Sequence, residues 1–404
     1  MPEPRPLPTR LLVPRRAALL GAATLLAAPA VRAQGGTVKL GILQPVTGAL
    51  AQDGELGRLG AAAAVEEINA GGGAGGARIE PVFGDARSNP EAGVAEVERM
   101  AAAGVTAIVG GFASPICLAA SQAAARYDLP YVVDVGVADT IVTRGLRNTF
   151  RFAPGFGTVT RVAVENLVKL NDGAGKPART VVLVHEDGLF GSGLARLMAT
   201  ELPKHGFEIL DTIAHPTPAR DMSNVALRIR SLNPDLLIPS SYYGEFVLLA
   251  RTMRQQRIRP KGVYAVLNGA ASNFRFVREF ADAADLVMDC NHWHDPRKPR
   301  AEELKRRVEA GGRFWAYNIP LNYSCVKLVA DAVARAGSTD RGRVTEALAA
   351  SSFADHIMPY GPTRFENGQN LGAGPVNTQV QGGDIKVIFP AEFANASPVF
   401  PARG

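Results

Sequence analysis

The chain has 404 residues, of which 47% are hydrophobic and 20% are charged. This balance is typical of globular proteins and excludes a disordered chain, a collagen and a coiled coil. The formal net charge is +6, and the first 33 residues supply +4 of it through five arginines and one glutamate. The remaining body is close to neutral, which argues against a nucleic-acid-binding protein because such proteins carry a concentrated basic surface.

Residues 15–33 have the layout of a secretory signal. Two consecutive arginines precede an apolar run from Ala17 to Ala28, and a small-residue cleavage pattern ends at Ala33. The apolar run is too short to cross a bilayer, which needs about 20 residues. We therefore predict a signal peptide over residues 1–33, cleavage near Ala33 and a mature protein in the periplasm. The arginine pair leaves both the twin-arginine route and the general secretory (Sec) route open.

Behind this leader, strand-like and helix-like segments alternate, which predicts βαβ units and parallel sheets. We therefore predict an α/β protein with two Rossmann-like lobes. The β-rich runs of the first series occupy residues 37–43, 79–85, 106–111 and 130–136, and those of the second occupy 180–187, 207–214, 235–241 and 262–268. The rest of the chain predicts an extended segment over 285–293, helices near 300–310, 321–336 and 341–350, and a hairpin over 376–389.

The loops that follow the strands are the places to look for function, because open α/β sheets bind ligands beyond the carboxyl ends of their strands. The loop after the third strand runs from Gly110 to Pro115. Ser114 followed by proline favours a helix start there. Free N–H groups and the helix dipole make this start a candidate carboxylate site. The alternative is that Ser114 only caps its helix.

Other motifs carry little functional information. Residues 71–76 match G-x-G-x-x-G, but they follow a helix instead of a strand, so we predict a connecting loop and no nucleotide. His292 and His294 would share a strand face, yet their spacing matches no zinc pattern. We therefore predict neither a metal nor a cofactor. The sequence has no G-x-S-x-G nucleophile motif, so we predict that the protein is not an enzyme and keep a secreted hydrolase as an alternative.

Five segments of the body form a series. They are VKLGILQPVTGALAQDG, GAAAAVEEINAGGGAGGARIEPVFGDARSNPEAGVAEVERM, VTAIVGGFASPICLAAS, VVLVHEDGLFGSGLAR and YGPTRFENGQN. In this order, behind a secretion signal, they resemble the type I periplasmic solute-binding proteins, specifically the branched-chain amino-acid-type receptors of ABC importers. The resemblance covers residues 37–390 and implies two lobes with parallel-rich sheets joined by a three-crossover hinge.

The resemblance also implies where the lobes divide. It places the crossovers near Phe152–Gly155, Asp289–Trp293 and Pro359–Pro362. The N-terminal lobe would then comprise residues 34–152 and 292–360, and the C-terminal lobe would comprise residues 153–291 and 361–404.

A ligand site in the cleft between the lobes is a further implication. Ser114 and the adjacent amides would hold a ligand carboxylate, Phe190 would stack on the ligand, and Asn268 stands where the amino-acid receptors carry an acid for the ligand's amino group. The full set of implied ligand-binding residues is Asp53, Ala113, Ser114, Pro115, Asp134, Gly136, Ala138, Phe190, Tyr243, Glu245 and Asn268.

The identity of the solute stays open at this stage. A buried ammonium needs a paired charge, so an amino acid requires Glu245, Asp53 or Asp134 in the cleft. A carboxylate with an aliphatic or aromatic body does not, and amides or urea are further candidates. The resemblance implies a monomeric periplasmic receptor that delivers its small-molecule ligand to ABC permease subunits in the inner membrane and binds no nucleic acid. A ligand sensor with a membrane signalling partner is the alternative.

Overall fold

The computed structural model describes Met1 and residues 36–402. Apart from Met1, the predicted signal peptide lies outside the described residues. The strands are β1 (Thr37–Gln44), β2 (Arg78–Asp85), β3 (Ala107–Gly110), β4 (Tyr131–Val133), β5 (Thr149–Arg151), β6 (Thr180–Glu186), β7 (Glu208–His215), β8 (Leu236–Ser240), β9 (Gly262–Val266), β10 (Met288–Asn291), β11 (Phe365–Glu366), β12 (Gln369–Asn370), β13 (Val376–Gln381) and β14 (Asp384–Phe389).

Helices connect most of these strands. They are α1 (Ala51–Ala70), α2 (Pro90–Ala102), α3 (Ser114–Ala125), α4 (Phe156–Gly173), α5 (Leu189–Glu201), α6 (Ser223–Leu232), α7 (Tyr243–Gln255), α8 (Phe274–Glu279), α9 (Ala281–Ala284), α10 (Pro299–Ala310), α11 (Asn318–Ala336) and α12 (Arg341–Ala349). In the described part of the chain, none of them has the length and apolarity that a bilayer crossing would need.

The strands form two sheets of seven. The first has the order β11-β12-β5-β4-β3-β1-β2, and the second has the order β14-β13-β10-β9-β8-β6-β7. Neighbours among β1–β5 and among β6–β10 pair in parallel. Each sheet ends in a short antiparallel hairpin, formed by β11 and β12 in one case and by β13 and β14 in the other. The predicted α/β fold with two parallel-rich lobes is confirmed.

Local sequence explains how several elements begin and turn. Asn89 caps α2 by accepting a hydrogen bond from the N–H of Ala92, and Pro90 supplies the first helical residue. The predicted hairpin turn between β13 and β14 falls at Gly382 and Gly383, whose positive φ angles suit a tight turn. In the first lobe, Gly60 lets α1 approach the start of α11 so closely that a Cβ there would collide with the backbone of Ile319.

The chain passes between the sheets three times. The first passage follows β5 and the second follows β10, in the regions predicted for them. The third joins β12 to β13, so it lies at residues 371–375 and not at Pro359–Pro362. Residues 365–370, which we predicted for the C-terminal lobe, instead extend the first sheet, because Gln369 pairs with Arg151 on β5. Two-residue strands give no periodicity for a sequence analysis to find.

Candidate functional site

A small cavity lies between the two lobes, at the carboxyl ends of the strands. Its volume is about 20 Å³, which is room for a single water molecule. The lining residues follow β3 and β4 in the first sheet and β6, β8 and β9 in the second, and two more are the last residue of β10 and the residue before α11. They are Phe112, Ala113, Ser114, Val135, Val137, Phe190, Tyr242, Leu267, Asn291 and Tyr317. Ten side chains from both lobes thus enclose a largely apolar space.

The wall on the first lobe is a tight loop that ends at the start of α3. Gly110, Gly111 and Phe112 all have positive φ angles. The Asp134 carboxylate holds this conformation, since Oδ1 accepts the N–H of Phe112 at 2.9 Å and Oδ2 accepts a hydrogen bond from Gln44 Nε2 at 2.8 Å. Asp134 is therefore fully engaged behind the cavity wall.

Ser114 is the polar group of this wall. It is the first residue of α3 and is 2% exposed. Its Oγ accepts the N–H of Ala138 at 3.2 Å, which leaves the hydroxyl hydrogen free to donate to a ligand. The N–H of Ala113 already donates to Gly111 O at 2.7 Å, and Pro115 has none. The helix start therefore offers fewer backbone donors than the resemblance implies.

Aromatic rings close the cavity from the second lobe. The Tyr242 ring lies 5.1 Å from that of Phe190 and 5.8 Å from that of Phe112, measured between centroids. Phe190 sits in the first turn of α5, and the Glu186 carboxylate anchors that turn by accepting the N–H groups of Gly188 and Gly191, each at 2.8 Å. Contact between Phe112 and Tyr242 joins opposite lobes, so the structure is a closed form with a collapsed cleft.

Acidic side chains surround the cavity without lining it. Asp53 is 2% exposed and receives one long hydrogen bond, from Asn318 Nδ2 at 3.4 Å. Burial raises the pKa of Asp53 to about 7, and the nearby Glu245 carboxylate adds to this rise. Burial also raises the pKa values of Glu245 and Glu186. Among the described residues, no lysine or arginine forms an ion pair with any of the three.

Comparison with known proteins identifies the family. The family model described as periplasmic binding protein matches residues 37–383. The chain belongs to the periplasmic binding protein family. Its relatives include Leu/Ile/Val-binding protein homolog 7 of Brucella melitensis biotype 1, which is 28% identical over 365 residues, covering 87% of this chain and 91% of the relative. Homolog 8 of Brucella abortus is 26% identical over 375 residues, covering 90% and 93%.

Solved structures show the same fold. A leucine binding protein, LivK, from Thermotoga maritima superposes with a TM-score of 0.75 at 22% identity, covering 87% of this chain and 97% of that one. LivJ from Streptococcus pneumoniae, solved in complex with isoleucine, gives 0.74 at 20% identity, covering 90% and 100%. The resemblance to type I periplasmic binding proteins of the branched-chain amino-acid type is confirmed, and these relatives are named as binding proteins.

The structure of this periplasmic binding protein brings only some of the predicted site residues to the cavity. Ala113, Ser114 and Phe190 line it. Pro115, Gly136 and Ala138 are immediate chain neighbours of lining residues but do not line it themselves. Five further predicted residues are not among those that line it, namely Asp53, Asp134, Tyr243, Glu245 and Asn268.

Two of these departures have simple local causes. Tyr242, not Tyr243, lines the cavity, because Tyr242 is the extended residue before α7 and Tyr243 is already helical. Asn268 turns towards its own loop, where its Oδ1 accepts the N–H groups of Ala270 and Ala271 at 3.0 and 3.1 Å. Its neighbour Leu267 faces the cavity instead.

The sequence analysis missed seven lining residues. Six of them lie at or just after the ends of predicted strands, namely Phe112, Val135, Val137, Tyr242, Leu267 and Asn291. Ligands of open α/β sheets bind at the carboxyl ends of the strands, which predicts where these residues lie in the fold. It does not predict which of their side chains point into the cavity. Tyr317 lies in a loop before α11 and carried no sequence signal.

The described residues include a serine–histidine pair of the kind a hydrolase uses. His215 Nε2 and Ser241 Oγ are 2.7 Å apart and both side chains are buried. The other ring nitrogen, Nδ1, faces the backbone oxygen of Pro216 at 3.1 Å and not a carboxylate. The pair is not among the residues that line the cavity. In the described residues, no group of three or more histidine, cysteine, aspartate or glutamate side chains is arranged to hold a metal ion.

Proposed function

We propose that the protein is the periplasmic solute receptor of an ABC importer, that it has no enzymatic activity, and that its ligand is a small carboxylate with an apolar or aromatic body. The observation that carries this proposal is the cavity lining, in which the free hydroxyl of Ser114 at a helix start is joined by aromatic and apolar groups, by Asn291 and by no ionised side chain. The names of the Leu/Ile/Val-binding relatives support the receptor role.

The chemistry of the lining favours a carboxylate over a zwitterion. The start of α3 attracts negative charge through its dipole and through the Ser114 hydroxyl. An ammonium in the same space would find no charged partner among the lining residues, and an unpaired buried charge is strongly unfavourable. The rings of Phe112, Phe190 and Tyr242 would then surround the body of the ligand.

Ligand entry requires the lobes to separate, because the closed cavity has room for only one water molecule. We infer that the solute binds to an open form, displaces the contact between Phe112 and Tyr242, and is enclosed when the lobes close again. The permease would select the closed, loaded receptor through its differential affinity for that shape.

A panel of matched solutes tests the proposal. The chain purified from the periplasm is unfolded and refolded to release any bound solute, and its melting temperature is measured with benzoate, 4-hydroxybenzoate, a short aliphatic acid, leucine, valine, urea and acetamide. A ligand at 100 times its dissociation constant adds about 2.7 kcal/mol of stability. We expect a rise with at least one acid and none with the amino acids. A rise with leucine or valine alone would overturn the proposed ligand class.

Ser114→Ala is the matched variant for the carboxylate. We expect it to weaken binding of the best acid by about 1–3 kcal/mol in calorimetry, because the carboxylate loses a hydrogen bond in a buried site. Ser121→Ala is the control, since Ser121 lies on the same helix and its hydroxyl bonds to Leu118 O away from the cavity. Equal affinities for the two variants would remove Ser114 from the site.

An amino acid is the second candidate, and the acids behind the lining support it. Asp53 and Glu245 belong to different lobes, are both largely buried and have no basic partner among the described residues. A modest shift of Tyr242 or Tyr317 would let an ammonium approach Asp53. The names of the relatives point in the same direction.

A further inference from the structure

One polar contact joins the lobes away from the cavity. Gln52 is the second residue of α1 in the first lobe, and Arg275 is the second residue of α8 in the second lobe. Arg275 Nη1 donates to Gln52 Oε1 at 2.8 Å across 223 positions of sequence.

Contacts within the second lobe hold the Arg275 side chain in place. Arg275 Nε bonds both carboxylate oxygens of Glu279, at 3.0 and 3.1 Å, one turn along α8. The N–H of Arg275 also donates to Oδ1 of Asn273, the cap of that helix. The guanidinium is therefore oriented before it meets Gln52, so little side-chain freedom is lost when the contact forms.

The contact lies beside a groove between the lobes. The groove has a volume of about 770 Å³, and its walls come from α1, from the start of α8 and from residues 312–314. Backbone hydrogen bonds continue the junction, from Phe274 N–H to Trp315 O at 2.9 Å and from Tyr317 N–H to Ser272 O at 3.2 Å. Tyr317 takes part in this junction and also lines the cavity, so the two features are adjacent.

We propose that Gln52 and Arg275 form a latch that stabilises the closed arrangement of the lobes and so controls how often the cleft opens to a solute. The interactions that join the lobes are ring contacts across the cleft, the backbone hydrogen bonds of the junction and the charge-assisted hydrogen bond of the latch. The latch goes beyond the proposed ligand class and is independent of it.

The test measures the distance between the lobes in the ligand-free protein. Glu66 on α1 and Asp282 on α9 have exposed side chains, and both are replaced by cysteine and spin-labelled for pulsed electron resonance. The native cysteines, Cys117, Cys290 and Cys325, are all buried and should not be labelled. The refolded, solute-free chain is used, so the result does not depend on which ligand the protein binds.

We expect Arg275→Met and Gln52→Ala each to lower the ratio of closed to open protein by about 5- to 20-fold, the range for a charge-assisted hydrogen bond near the surface. Gln52→Glu should raise the closed fraction, because an ion pair replaces the neutral contact. Arg313→Met is the control, since Arg313 lines the same groove without bonding α1.

The outcomes separate the latch from its alternatives. If Arg275→Met fails to fold, Gln52→Ala removes the same hydrogen bond from the other lobe. If the distances between the two spin labels are unchanged in Gln52→Ala and Gln52→Glu, the proposal is overturned. The pair would then lie at the pivot of the hinge, where its contact does not depend on opening. A shift in Arg313→Met as large as that in Arg275→Met would also overturn it, since groove charge alone would then explain the effect. None of these results changes the outcome of the solute panel.

Discussion

Arg151→Met should lower the free energy of unfolding by about 3–4 kcal/mol, because it removes a buried cation that holds several oxygens. Arg151 is 1% exposed. Its guanidinium donates to the backbone oxygens of Val137 and Ala138 at 2.7 and 2.8 Å, to Asp139 Oδ1 at 2.9 Å and to Gln369 Oε1 at 2.7 Å. Methionine fills a similar length but removes one of the two donors of each buried carbonyl group, so that Val137 O keeps only the N–H of Phe156 and Ala138 O keeps only the N–H of Ile141.

The same substitution should weaken ligand binding, since the arginine supports the cavity wall from behind. Val137 lines the cavity, and the N–H of Ala138 is the partner of the Ser114 hydroxyl. Urea unfolding followed by circular dichroism measures the stability. Arg161→Met is the control, because Arg161 has an exposed side chain that pairs only with Glu165, and it should change stability by less than about 0.5 kcal/mol. A loss below about 1 kcal/mol for Arg151→Met would contradict the prediction.

Arg151 also shows why the sequence predicts the lobes but not their final boundaries. Alternating strands and helices define each parallel sheet, and the series of family segments defines their order. The edge of the first sheet, however, is closed by β11 and β12, whose pairing depends on Arg151 contacting Gln369 across 218 positions. A contact between residues so far apart in sequence depends on tertiary packing, and no local pattern around residues 365–370 predicts it.

The sequence likewise predicts some residues of the candidate site and not others. Ser114 and Phe190 follow strands in segments with clear helix starts, so their chain position already points to the cleft. The choice between Tyr242 and Tyr243 depends on where α7 begins, which is a difference of one residue. For Asn268 the sequence predicts a position near the cleft but not the direction of the side chain. Its side-chain oxygen accepts hydrogen bonds from two backbone N–H groups of its own loop.

Asp53→Asn should stabilise the protein at pH 8 by about 2–4 kcal/mol and should have little effect near pH 4. The pKa of Asp53 is raised from its ordinary value of 3.8 to about 7, mainly by burial, so the fold favours the protonated acid. Its stabilising contribution is complete below pH 3.8 and is lost as the pH rises towards 7 and the buried carboxylate ionises without a basic partner. Asparagine cannot ionise, so the variant escapes that loss.

Unfolding in urea at a series of pH values checks this prediction. The slope between pH 4 and 8 should become shallower in Asp53→Asn but should not vanish, because burial also raises the pKa of Asp289 to about 7. Asp285→Asn is the control at an exposed position and should leave the profile unchanged. A profile for Asp53→Asn that overlies that of the parent protein would contradict the assigned burial of the charge.

The same variant separates the two ligand classes, because the sign of its effect depends on what the cleft holds. For a carboxylate without an amino group, Asp53 is a spectator, and Asp53→Asn should bind the acid as tightly as the parent protein does or more tightly. For an amino acid, an ionised Asp53 would pair with the ammonium, and its loss would leave that charge unpaired at a cost of several kcal/mol. Calorimetry at pH 8 with the best acid of the panel and with leucine therefore gives opposite results for the two proposals. We expect acid binding to survive, since no ionised group lines the cavity.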